Sequence, residues 1–283
     1  MEWRKAIIIL ILSFALLNIF LLARYHYVAG PAVKFTLTQE QQEEIVEQLR
    51  QKDVTLDVQI PTEGNPQAFL EVEYRRADEK KVVENFLGRD APLAREDIPE
   101  GRRYSIGSKQ LTVMEKGIIT FSNGEDSVGL GDLTGEQAEG LAAEFIEAHG
   151  GMPTDARHNS TTYDPNTRGY LINYVRYYEG FFMANSYIDV VVTPTGVKSY
   201  YQLWLSPIGY VGKKRPVVSP LTAMLRVISE RQSQDKMAIT HIEQGFYSRA
   251  YDADKWQMAP VWKIQLDGQD LYYVNAYTGE LEQ

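Results

Sequence analysis

The chain has 283 residues, a formal net charge of −9 and no cysteine. The missing thiols exclude a disulfide framework, a zinc–thiolate site, thiol catalysis and a lipidated cysteine. Glu2 against Arg4, Lys5 and Arg24 leaves the first 24 residues positive, so the acidic excess lies in the rest, which argues against nucleic acid or an anionic surface as a partner.

Ala6 to Ala23, AIIILILSFALLNIFLLA, is 18 residues without a charge. As a helix it is roughly 27 Å long, close to the thickness of a bilayer's hydrocarbon core. Trp3 precedes it and Tyr25 and Tyr27 follow, where amphipathic rings lie among headgroups. A cleaved signal peptide is the alternative, but the apolar run exceeds the usual core of about 7–15 residues, and Pro31 spoils the weak small-residue site after it. The reading is therefore a cytoplasmic tail of residues 1–5, a transmembrane helix over 6–23, and an extracytoplasmic body. Arg4 and Lys5 before the helix, against Arg24 after it, place the N-terminus inside. Ser13 and Asn18 are the clearly polar side chains within the span. Either a neighbouring helix supplies their partners, or Asn18 reaches the interface and Ser13 bonds back to its own helix.

Beyond the span, Thr38 and Gln41 form a capping-box pair opening a helix to about Lys52, with Ile45, Val46 and Leu49 as its apolar stripe. Val54, Leu56, Val58 and Ile60 alternate with polar residues, as do Ala68, Leu70, Val72 and Tyr74. With the turn PTEGNP between them, these two strands are expected to pair as a hairpin. A helix follows from Asp78 to Leu87, with Gly88 as its C-cap. Residues 89–101 read as loop, then strands at 102–106, 109–115 and 118–122. The Gly-rich stretch 122–132 suggests a division into subdomains 24–125 and 126–283.

The second half carries an internal repeat. Thr134 with Gln137 caps a helix whose face is Leu141, Phe145 and Ala148, and strands at 169–178, 186–193 and 197–205 follow. Ser219-Pro220 then starts a helix with Leu221, Leu225 and Ile228 on its face, followed by strands at 238–248, 260–266 and 270–275. Thr195-Gly196 and Thr278-Gly279 occupy the same place in units 133–205 and 219–283. The fold class is α+β, with helices covering one face of antiparallel sheets.

The residues offer little chemistry. His26, His149, His158 and His241 form no H-E-x-x-H or close pair, so no metal site is assigned. His149 reads as a helix-end residue suited to the dipole. No G-x-S-x-G or S-x-x-K marks a nucleophile, and Gly124 to Gly131 lacks a phosphate-loop spacing. Asp252 and Asp254 resemble the start of a calcium loop, but Gln257 and Lys263 stand where glycine and glutamate are required. Asn159-Ser160-Thr161 is a formal glycosylation sequon, meaningful only in a eukaryotic secretory pathway. No catalytic residue and no cofactor is assigned; a tethered binding module is what remains.

The start MEWRKAIIIL with the run Asn18-Ile19-Phe20-Leu21, together with YYEGFFMANSYIDVVVTPTGV at 177–197 and APVWKIQLDGQDLYYVNAYTGEL at 259–281, resembles the YycI (WalI) family. The last segment also looks like the end of PepSY-type modules. The resemblance implies a non-enzymatic accessory regulator of the WalK/WalR (YycG/YycF) two-component system, which controls cell-wall metabolism. It implies action with YycH through contacts between transmembrane helices, with Trp3, Ser13 and Asn18 as candidate contacts. The alternative is a tethered PepSY-like module that binds a ligand or inhibits a protease.

Overall fold

The computed structural model describes residues 2–29, 33–35, 45, 47–89, 92–125, 129, 131–230, 236–249, 253–267 and 271–282. The chain is α+β, with many strands and few helices. Helix α1, Glu2–Ala29, is continuous over 28 residues. The chain divides into two compact units, Met1–Phe69 with Gly212–Gln244 and Pro260–Gln283, and Leu70–Val211 with Gly245–Ala259. The chain changes unit within strands, so the Gly-rich stretch at 122–132 lies inside the second unit.

In the first unit, strand β1 (Val33–Lys34) is followed by helical residues 47–51 and by β2 (Val54–Leu56). Thr38, Gln41 and Val46 of the expected capped helix lie outside the described residues; Ile45 and Leu49 are buried. The expected hairpin of 54–60 with 68–74 does not form. Strand β2 pairs in parallel with a strand nearly two hundred residues on, Val54 opposite Met237. The expected turn instead contains a short strand, β3 (Glu63–Gly64), paired with β1. Alternation fixes which side chains face a core but says nothing about which strand lies alongside. Gly64 is needed there, because a Cβ would come within 2.7 Å of Phe35 and Val217 side chains.

The first unit's second helix-plus-strand run is α4 (Pro220–Glu230), then β14 (Met237–Tyr247), β15 (Lys255–Leu266), β16 (Leu271–Asn275) and β17 (Leu281–Glu282), paired in succession. Ser219 Oγ accepts from Thr222 N at 3.1 Å as the expected N-cap. The buried face of α4 is Ala223, Met224, Val227 and Ile228, whereas Leu221 and Leu225 lie at its margins, which corrects the face read from spacing alone. It packs with Ile239, Ile242, Trp262, Ile264 and Val274. Trp262 Nε1 donates to Val218 O at 3.0 Å, so the indole's one polar group is satisfied inside the core.

The second unit is built on eight antiparallel strands. They are β5 (Ala94–Ile98), β6 (Gly101–Ile106), β7 (Lys109–Met114), β8 (Ile119–Asn123), β9 (Ala156–Asp164), β10 (Gly169–Tyr178), β11 (Phe181–Thr193) and β12 (Gly196–Leu203). Their order is β5-β6-β7-β8-β12-β11-β10-β9. Strand β5 replaces the expected loop. Its side chains are almost all exposed, so it carries no apolar alternation to betray it. Cross-strand pairs such as Arg103 with Glu96 at 3.1 Å accompany its register, each worth only ~0–1 kcal/mol at such exposure. Strand β9, equally polar, was also not legible.

Two helices cover one face of this sheet. Helix α2, Glu79–Leu87, starts at Asp78, whose Oδ1 accepts from Lys81 N at 3.2 Å. Helix α3, Gly135–Ala148, starts at the expected capping box, with both Thr134–Gln137 bonds formed. Phe86, Ala138, Ala142 and Ile146 from the helices meet Leu111, Phe121, Ile172, Ile188, Val190 and Tyr200 from the strands. Each fully buried large side chain there contributes ~1.5–3 kcal/mol of apolar burial. A smaller core lies under β4 (Gln67–Tyr74) and β13 (Leu205–Arg215), around Leu70, Val72, Met183, Phe246 and Met258.

Candidate functional site

The three residues singled out in the sequence all lie on α1. Trp3 is 80% exposed, and Ser13 and Asn18 are exposed. Asn18 Nδ2 donates to Phe14 O at 2.8 Å, so one of its amide hydrogens is satisfied within its own helix. The helix does not gather the three on one face. At about 100° per residue, Ser13 and Asn18 point roughly 140° apart. Between them and around them Leu10, Ile11, Leu12, Phe14, Leu16, Leu17, Ile19, Phe20 and Leu21 are all at least half exposed. Among the described residues no helix is long and apolar enough to cross a membrane. The span from Ala6 to Ala23 stands on the sequence.

The second unit contains a cleft of about 550 Å³, within the range of small-molecule sites. Its floor is where the two helices meet the sheet: Phe86 from α2, Ile146 from α3, Ile119 from β8 and Tyr200 from β12. The rings of Phe86 and Tyr200 lie 5.2 Å apart, and Phe86 lies 5.0 Å from His149. His149 caps α3, as expected for a helix-end histidine, and its ring stacks on Phe145 at 3.9 Å. Its Nδ1 lies 2.7 Å from Phe145 O, which makes Nδ1 the protonated nitrogen, since a carbonyl only accepts. Burial pushes the Tyr200 hydroxyl well above its usual range, and it donates to Gln202 Oε1.

The mouth of the cleft is basic. Arg75, Arg76 and Lys81 line it and are exposed, and Asp78 is the lining carboxylate, already engaged as the cap of α2. Gly117 fixes this arrangement. It sits at φ +76°, and a Cβ there would stand 1.8 Å from Arg75 O, so the 75–77 segment lies directly against the turn after β7. At the inner end Trp204 is 2% exposed, and its indole N–H has no acceptor among the described residues. The Arg176 guanidinium stands over that indole at 5.7 Å and pairs with Asp155 at 2.7 Å.

Sequence reasoning did not single out this cleft. Its signal was the cluster Arg75-Arg76 and Lys80-Lys81 around the start of α2, which reads equally as a solvated surface. Among the described residues no group of three His, Asp or Glu is placed to hold a metal ion. Asp252 of the acidic pair lies outside the described residues.

No curated protein matches the chain. The crystal structure of an uncharacterized protein from Eubacterium rectale ATCC 33656 is similar at a TM-score of 0.50 and 9% identity, covering 76% of this chain and 86% of that one. At that identity the likeness shows the fold alone. The family model described as YycI protein matches residues 34–277, which begins after α1 and takes in both units. A match over so much of the length decides membership: the chain belongs to the YycI family.

Proposed function

We propose that this chain is a membrane-anchored, non-enzymatic regulator of the WalK/YycG sensor kinase, acting together with YycH. The observation that carries the reading is the YycI match over residues 34–277. Family membership supports the regulatory role in that two-component system. Anchoring through residues 6–23, with a cytoplasmic N-terminus and an extracytoplasmic body, completes the proposal. It is supported by the uncharged apolar run and by the exposure of its side chains from Leu10 to Leu21. Apolar surface of that extent needs lipid or a partner to cover it.

In physical terms, an accessory helix shifts a kinase between arrangements only by its differential affinity for them. A helix that packs tenfold better against one arrangement moves the balance by about 1.4 kcal/mol. Trp3, Ser13 and Asn18 are the candidate contacts, and the body docks to YycH to gate that packing. Replacing residues 6–23 by an unrelated apolar helix of equal length is expected to abolish regulation while leaving the protein in the membrane. Kinase output, read from a WalR-dependent reporter, and membrane fractionation distinguish the two effects. Full regulation by the swapped chain sinks the helix-contact reading.

A second reading is a tethered ligand-binding or protease-inhibiting module of PepSY type. Two runs of a helix followed by strands favour it, α3 with β9–β13 and α4 with β14–β17, each with a Thr-Gly turn between two of its strands. Gly196 at φ +108° and Gly279 at φ +73° occupy equivalent places in the two. This reading expects activity from the body without α1.

A further inference from the structure

We propose that the cleft between α2, α3 and the β8–β12 floor binds a small molecule that presents a carboxylate or phosphate to Arg75 and Lys81 and seats an apolar body on Phe86, Ile119 and Tyr200. The proposal does not depend on the kinase reading, since it concerns residues of the second unit alone.

Three observations converge on an anion. First, the mouth is cationic although the protein carries a formal charge of −9. Arg75, Arg76 and Lys81 line the cleft, and none is ion-paired among the described residues. Arg76 also borders two neighbouring clefts that hold Glu73, Glu79 and Glu115, so Arg75 and Lys81 are the cations belonging to this one. Unpaired cations at the mouth of a low-dielectric cleft concentrate anions there.

Second, two polar side chains inside present donors. Gln202 has its Oε1 occupied by the Tyr200 hydroxyl, which leaves its amide N–H groups to donate. The Trp204 indole N–H is buried with no acceptor among the described residues. Asp78, the lining carboxylate, is spent on capping α2. These donors, together with the unpaired cations of the mouth, are complementary to an acceptor-only group such as a carboxylate or phosphate.

Third, the site is held in shape. Gly117 lets the Arg75 carbonyl pack where any side chain would collide with it. Gly150 and Gly151, at φ +139° and +91°, carry the chain from α3 into Met152 and Pro153 along the wall. Phe86, Ile146 and Tyr200 are buried in the core that α2 and α3 share with the sheet. Phe86, Ile119 and Tyr200 present the edge of that core as a small apolar floor for a ring or short aliphatic chain, and the mouth supplies the charge.

The test uses the full chain in detergent micelles with 15N-labelled tryptophan. Four indole resonances arise from Trp3, Trp204, Trp256 and Trp262, and a Trp204→Phe variant assigns the relevant one. Benzoate, phenyl phosphate and inorganic phosphate are titrated in parallel. Saturable binding of benzoate or phenyl phosphate with movement of the Trp204 resonance is expected, and the tighter of the two identifies the anion. The double variant Arg75→Ser, Lys81→Ser should weaken binding at least about tenfold. The charge-matched control Lys213→Ser, Lys236→Ser, at exposed positions of the first unit, should not. The proposal is overturned if neither organic probe saturates below about 10 mM. A still Trp204 resonance, or equal weakening by the control pair, overturns it too. Inorganic phosphate binding as tightly as phenyl phosphate removes the apolar floor from the site.

Discussion

Replacing Gly117 by alanine tests whether the turn after β7 holds the mouth of the cleft. Gly117 stands at φ +76°, where an L side chain is strained by about 1 kcal/mol. The new Cβ would sit 1.8 Å from the Arg75 carbonyl oxygen and 2.8 Å from its carbon. That obstacle is backbone, continuous with β4 on one side and α2 on the other, so no side-chain rotation relieves it. Forced separation of packed segments costs a further ~1–3 kcal/mol. The sum, roughly 2–4 kcal/mol, lowers the melting temperature of a unit this size by roughly 4–16 °C. Thermal unfolding of the full chain in one fixed detergent measures it. The control is Gly180→Ala, in the turn between β10 and β11. Gly180 has φ +89° but open space around it, so alanine there costs only the conformational part, about 1 kcal/mol. If Gly117→Ala melts no lower than Gly180→Ala, the backbone contact does not constrain the turn and the reasoning fails.

Two other outcomes follow from the packing and charge of the second unit. Gly245 lies opposite Phe182, and a Cβ would reach within 2.5 Å of three atoms of that ring, itself only 1% exposed. Gly245→Ala is expected to destabilise by ~1–3 kcal/mol, and adding Phe182→Leu should recover part of the loss; a strictly additive pair in denaturant unfolding would show that the two do not meet. Asp189 is partly buried on β11, and desolvation raises its carboxyl above the usual range despite the hydrogen bond from Asn173 at 2.6 Å. Its folded form therefore holds a proton more tightly than the unfolded chain. Stability is lost as pH rises from about 4 through that raised value. Asp189→Asn keeps an acceptor for Asn173 and removes the ionisation. Melting curves should show the variant gaining on the parent above that window and matching its trend below it; equal pH dependence of the two would refute the assignment.

Much of the local structure was legible because it is written in short-range chemistry. The capping box of Thr134 and Gln137, the Ser219 cap and the strands around 101–123 and 169–203 formed where expected, since side chains three residues apart or alternating along a strand decide them. The uncharged run at 6–23 and the absence of cysteine are likewise properties of sequence alone.

What the sequence could not determine is partnership. Val54 to Leu56 alternates as a strand should, yet its neighbour is Met237 to Ile239, and loop closure over such a distance leaves no local trace. Strand β5 is almost wholly exposed and β9 has no fully buried residue, so neither carries a buried face that would impose an apolar alternation on its residues. The cleft depends on partnership too. Arg75 and Lys81 are neighbours in sequence, but Tyr200, Gln202 and Trp204 join them only when β12 pairs with β8 and α2 and α3 settle on one face of the sheet. Helix caps and strand alternation are short-range and the chain carries them in its order of residues; a site assembled from residues more than a hundred positions apart exists only once burial of the apolar faces has chosen which elements touch.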